Sequence, residues 1–441
     1  YADYLGKLVG IEQLKENQLY FYDLNLKTNV QINAKNRIYL SAYTGDDYFK
    51  VGESIYMKWG NLTSTARWNH LFTDKLFSNT SLIFSRYNYN LGVPGSGADQ
   101  FDWSSQIRDY NFKQDFSWYL NSKNKLTLGF NMIYHHFEPG QVDANEKSYF
   151  TDLKLANYNA LDNSVYISNE QTIGSRLTMR YGLRYSYFQQ IGKGKVREYL
   201  HPDQPNEKEV IGTIEYGSGK LVPPAYHNLE PRLALKYMIN PESSVKASYN
   251  RMVQNLHLIS NTNSPTPLDI WLPSSTYIKP LIANQVGLGY FRNFKENMFE
   301  TSAEVYYKKM ENVIDYIDGA ELFLKENLET ELLHGSGYAY GLELYAKKQE
   351  GRLTGWLSYT LAKSMRKISG INEGKAYASS YDRTHNVSLV ANYDLSKRWN
   401  FSTSWVFATG NPTSYPIAKY DVQGNTIYYY AARNSNRIPD Y

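Results

Sequence analysis

Between Met252 and Pro280, His257, Asn261, Asp269 and Trp271 combine hydrogen-bonding groups with a flat stacking surface, the mixture from which sites for small polar ligands are built. The competing reading is that they fasten a long loop to the structure beneath it. A second set is charged: Arg180, Arg184 and Arg251, with Glu300 and Glu304, need water, a ligand or another protein segment beside them. Other chemistry is poorly supported. "GSGK" at 217–220 resembles the end of a phosphate-binding loop, but Leu221 stands where Ser or Thr is required and Ile214 where the first Gly is required, so it is read as a loop. His135 and His136 are adjacent, leave a strand on opposite faces and cannot grip one metal ion. No G-x-S-x-G motif occurs, and no carboxylates are spaced so as to frame a glycosidic bond. We expect no enzyme, no cofactor and no metal site.

The elements that carry these residues have a period of two. In "LYFYDLNLKTNVQI" (19–32), Tyr20, Tyr22, Leu24, Leu26, Val30 and Ile32 share one parity, while Asp23, Asn25, Lys27, Asn29 and Gln31 share the other. Tyr110, Phe112, Phe116, Trp118 and Leu120 alternate with Asn111, Lys113, Asp115 and Ser117 in the same way. Leu177, Met179, Tyr181, Leu183, Tyr185 and Tyr187 oppose Thr178, Arg180, Gly182, Arg184 and Ser186. An Arg facing lipid at the midplane of a barrel costs about 2–4 kcal/mol, so the arginine side must be the bore. By the same logic Glu300, Ser302, Glu304 and Lys308 face inward, and Phe299, Thr301, Ala303, Val305 and Tyr307 face outward.

The alternation recurs in eight hairpins, near 19–50, 57–90, 103–138, 158–188, 228–252, 281–310, 337–366 and 381–410, which is about sixteen strands. Their internal turns ("NAKN", "TDK", "NSKNK", "NPES", "FKEN", "KQEG", "LSKR") are short and polar, whereas the links between hairpins are mostly long. Turns on one side and loops on the other predict an all-β, transmembrane antiparallel barrel rather than a soluble sandwich or propeller. Composition agrees. No apolar run approaches the 18 or so residues of a spanning helix, and a mean hydropathy of -0.56 suits a wall in which only alternate residues touch lipid. Tyr accounts for 42 residues against 18 Phe and 8 Trp, a bias toward rings with a polar tip that favour the headgroup boundary. The net charge of +4, from 47 basic and 43 acidic residues, implies no nucleic-acid partner, and with no Cys thiol chemistry is excluded. "NLT" at 61 and "NVS" at 386 fall within expected strands and are chance matches to a glycosylation pattern.

"SYNRMVQNLHLISN" (248–261), "PTPLDIWLPSS" (265–275), "GYAYGLELYAKKQEGRLTGWLSYTLAKS" (337–364) and "YDRTHNVSLVANYDLSKRWNFSTSWVFATGNP" (381–412) resemble the barrel of a TonB-dependent outer-membrane receptor of the Bacteroidota type. The resemblance implies a barrel of 22 strands integral to the bacterial outer membrane, filled by an N-terminal plug domain that an inner-membrane TonB-type protein pulls upon. It also allows a surface lipoprotein as partner. With about sixteen strands visible, the remaining strands and the plug are expected outside residues 1–441. No signal peptide opens the chain, and truncation is the expectation. Residues 1–18 are an unassigned lead-in, 19–410 the transmembrane hairpins and 411–441 an extracellular loop before the final strands. The implied function is import of a scarce nutrient, such as a metal chelate, corrinoid, oligosaccharide or peptide. The alternatives are a non-transporting structural or docking subunit of an outer-membrane assembly, and a passive porin. The lumen arginines would hold a ligand or, more simply, the plug.

Overall fold

The computed structural model describes residues 17–201, 209–259, 270–320, 325–422, 425–430 and 432–441. Eighteen strands make one antiparallel sheet; setting aside the two-residue strands Leu153–Lys154 and Tyr377–Ala378 leaves sixteen long ones. In chain order these are β1 Gln18–Asn33, β2 Asn36–Val51, β3 Ile55–Thr73, β4 Leu76–Val93, β5 Phe101–Asn121, β6 Asn124–Asp143, β7 Tyr158–Ile173 and β8 Leu177–Ile191. They continue as β9 Leu221–Asn240, β10 Ser243–Gln254, β11 Leu281–Phe294, β12 Phe299–Tyr316, β13 Leu332–Lys348, β14 Leu353–Ile368, β15 His385–Asp394 and β16 Asn400–Ala408. Each pairs with its sequence neighbours. Among the described residues, β1 pairs only with β2 and β16 only with β15, so the wall has two free edges.

Three of the short turns share one device. Asn33, Asn121 and Asn240 each accept, through Oδ1, the backbone N–H two residues on, at 2.9, 2.9 and 3.0 Å. This Asx geometry fixes the hairpin register locally, so one end of the wall is tight. The other end carries the long connections, with one departure from expectation: β2 and β3 are joined by only Gly52, Glu53 and Ser54. Gly52 takes φ 51° there, which closes the chain without a Cβ penalty.

Register sorts the wall into two surfaces. Tyr237, Val245, Tyr290, Ala303, Leu344 and Tyr359 are successive partners across β9–β14. Arg67, Ser81, Lys113, Asn131, Ser164 and Ser186 are successive partners across β3–β8 on the other surface. Asn131 and Ser164 are 9% and 4% exposed, whereas their chain neighbours Met132 and Val165 are 46% and 55% exposed. Polar side chains crowd the concave face and apolar ones cover the convex face. That is the reverse of a water-soluble barrel and is stable only with hydrocarbon outside. On β5 the outward apolar positions run from Tyr110 to Trp118. At about 3.4 Å per residue this is roughly 27 Å of strand, or about 20 Å of height once tilted.

The buried apolar core lies at the loop end rather than in the bore. There Tyr89, Leu91, Phe101, Trp103, Val142 and Leu155 form one cluster, and Ile259, Ile270, Leu272, Ile278, Leu328 and Leu332 form another.

Candidate functional site: the loop-end pocket and the bore

The site begins with an irregularity in β12. Inward positions of this strand are even-numbered as far as Lys308, but the register shifts between Glu311 and Val313, and Asn312 takes φ 58°. This bulge transfers the inward parity to Val313 and Asp315, both of which are buried. Asn312 Nδ2 fixes the kink by donating to the Pro280 carbonyl at 2.9 Å.

Asp315 is thereby aimed into the loop-end interior, where it is the hub of an ion cluster. Its carboxylate accepts from Arg366 Nη1 (3.0 Å), Arg433 Nη1 (3.0 Å) and the Tyr377 hydroxyl (2.7 Å). Arg433 also donates to Asp318 at 2.6 Å, and its guanidinium lies 4.2 Å from the centre of the Tyr316 ring. Burial first, and then the Asp315 charge, push the Tyr377 hydroxyl far above its ordinary value, so it remains a donor. Beside the cluster is a polar pocket of about 300 Å³ whose wall includes Tyr381, Ser380, Ser414 and Asn434. It offers hydroxyl, amide and aromatic surfaces, with the neighbouring guanidiniums already engaged by carboxylates.

Of the residues expected from sequence, His257 lies in the short strand Leu256–Ile259, paired with Ile270–Pro273. It is 5% exposed and Nε2 bonds Ser274 Oγ at 2.9 Å, which makes it a tie within the loop pair. Burial, and next the neighbouring His334, lower its pKa from 6.5 to about 4, so it is neutral at physiological pH. Trp271 is half-buried in the partner strand opposite Leu258. Asn261 and Asp269 lie outside the described residues. His135 and His136 do leave β6 on opposite sides, bonding Asp109 and Asn159 respectively.

Arg180, Arg184, Glu300 and Glu304 all have the inward parity. Arg184 Nε and Arg232 Nη2 flank the buried Glu230 at 3.5 and 3.2 Å. With Lys113, Asp115, Tyr166 and Arg180 they border an inner-wall alcove of about 670 Å³. Lys236 faces Lys246 directly, and in the same residue row, past Gly289, Glu304 faces Glu343. Arg251 departs from expectation. Its unbroken register partner is Asn284, on the parity of Val245 and Tyr249, which belongs to the outward surface. Near a strand end that surface leaves the hydrocarbon, and an Arg there costs only about 0–1 kcal/mol.

An inverted β-wall with a loop-built pocket at one end defines an integral β-barrel of the bacterial outer membrane. The chain belongs to the TonB-dependent receptor-like β-barrel family, whose model matches residues 10–441. Solved structures of the same fold include the ferric-catecholate import receptor Fiu of E. coli, 13% identical with TM-score 0.60, covering 90% of this chain and 65% of that one. The alcaligin outer-membrane receptor FauA of Bordetella pertussis is 14% identical with TM-score 0.57, covering 89% and 62%. The ferripyoverdine receptor of Pseudomonas aeruginosa, bound to ferripyoverdine, is 11% identical with TM-score 0.64, covering 97% and 58%. The chain thus spans less than two thirds of the length of each. No curated protein matches the sequence.

Proposed function

We propose that this chain is the barrel portion of an energy-coupled uptake receptor. Its loop end captures a scarce polar solute, and movement of a plug domain within the bore releases that solute inward. The observation carrying this reading is the conjunction of a polar, charge-lined bore with a pocket walled by hydroxyl, amide and tyrosine groups at the loop end. Membership of the family supports it. The two free edges call for further strands to close the wall, because unpaired backbone groups cannot face lipid. In this reading those strands, the plug and a TonB-type energising protein complete the machine.

The solute is a scarce polar nutrient too large for simple diffusion, of the metal-chelate, corrinoid, oligosaccharide or peptide classes. The decisive experiment is growth on candidate solutes as sole source of the limiting nutrient, in strains lacking either this gene or the energising protein. Equal loss of growth in both strains is expected. Growth that needs the gene but ignores the energising protein would leave a passive pore, and growth that needs neither would leave a scaffold.

A further inference from the structure

The outward face of β2–β6 carries two features that no part of the uptake reading uses. The first is an apolar groove of about 700 Å³. Its floor is made of small side chains, Ala42, Ser64 and Ala66, and its walls include Leu40, Phe84 and Tyr110. Register places all six on the convex, lipid-facing parity. Since this surface meets hydrocarbon, an empty channel of that volume is filled by whatever apolar chains are present.

The second feature lies one outward residue beyond the groove toward the loop end. Arg86 on β4 is the direct partner of Arg108 on β5, and His136 on β6 follows in the same row. Like charges opposite each other on one face of a sheet repel. Glu138 offsets only part of this charge, bonding Arg108 and, at 2.9 Å, His136, while Gln106 also donates to it at 2.7 Å. Arg86 is exposed. The tyrosines of the row beneath, Tyr110 and Tyr134, mark the headgroup boundary, so the two guanidiniums stand where an anionic headgroup would meet them.

We propose that this face binds one phosphate-bearing lipid of the outer membrane, its phosphate bridging Arg86 and Arg108 and one acyl chain lying along the groove over Ala42, Ser64 and Ala66. The charge complementarity and the continuity of groove and cationic row define the occupant: a chain alone leaves the arginines facing each other, and a phosphate alone leaves the groove unfilled.

The test uses the full-length protein in neutral detergent, titrated with dipalmitoyl phosphatidate, dipalmitoyl glycerol or glycerol 3-phosphate, with retained adducts counted by native mass spectrometry. Phosphatidate is expected to be held at about tenfold lower concentration than dipalmitoyl glycerol, and glycerol 3-phosphate is expected to leave no adduct. Arg86→Gln should weaken phosphatidate alone by about tenfold. Ala66→Phe, which fills the groove, should weaken both lipids; Ala42→Phe replaces it if the unheated gel mobility of a folded barrel is lost. Equal retention of the two lipids, adducts of glycerol 3-phosphate, or phosphatidate binding unchanged in the Arg86 and groove variants would each overturn the proposal.

Discussion

Asp315 shows how much can rest on one carboxylate. Two guanidiniums and a tyrosine hydroxyl converge on it, so Asp315→Ala leaves two cations facing each other in a buried place, at a cost of order 3–5 kcal/mol. Limited proteolysis should cut the 317–331 connection faster in that variant. Tyr377→Phe removes a single charge-assisted bond and should cost about 1.5–3 kcal/mol. His257 gives a prediction in pH. Its folded pKa of about 4 lies below its ordinary 6.5, so the folded loop pair binds fewer protons than the open one. The stability of the pair is complete above about pH 6.5 and is lost as pH falls toward 4. Hydrogen exchange at residues 256–259, corrected for intrinsic rate, should therefore quicken between pH 7 and 5, and His257→Gln should flatten that dependence. Of these roles, sequence supplied only the choice between a ligand contact and an anchor for His257. The Asp315–Arg433 pair joins positions 118 residues apart and leaves no local pattern.

At the scale of elements, the strands were legible and their exceptions were not. Alternation such as Tyr20, Tyr22, Leu24 and Leu26 against Asp23, Asn25 and Lys27 reports which solvent each face meets, and that is a property of the local chain. Turn residues such as Asn33 and Asn121 are equally local. The bulge at Asn312 was invisible because a single extra residue in a long alternating run only shifts its phase. Charge alone places Arg251 in the bore, whereas its phase groups it with Tyr249. Two pairs of variants test this layer. Val305→Arg, on the outward parity, should cost about 2–4 kcal/mol if it lies near the midplane, while Glu304→Arg beside it should be tolerated. Unheated gel mobility after refolding into lipid reads the difference. Deleting Asn312 removes the extra residue and keeps Asp315 on the inward phase, so the loop-end cluster should survive, whereas Asn312→Val, which disfavours the positive φ and so favours straightening the bulge, should turn Asp315 outward and weaken the cluster. Protease resistance of the 317–331 connection distinguishes the two.

For the molecule as a whole, the inverted wall predicts which indoles touch lipid. Trp68, Trp118 and Trp405 are 45%, 45% and 54% exposed on the outward surface, and Trp103 is 1% exposed in the loop-end core. Single-tryptophan variants in brominated lipid should be strongly quenched for the first three and nearly unaffected for Trp103; quenching of Trp103 alone would mean the wall is turned the other way. The bore has an asymmetry of its own. Lys236 and Lys246 stand side by side on β9 and β10, Glu304 and Glu343 side by side on β12 and β13, with Gly289 between the pairs. At that level the cavity therefore carries a field directed around its circumference instead of one that is uniform about its axis. A dipolar body seated there has one favoured azimuth, so the interior acts as an electrostatic keyway, and turning the occupant must work against that field before it can slide.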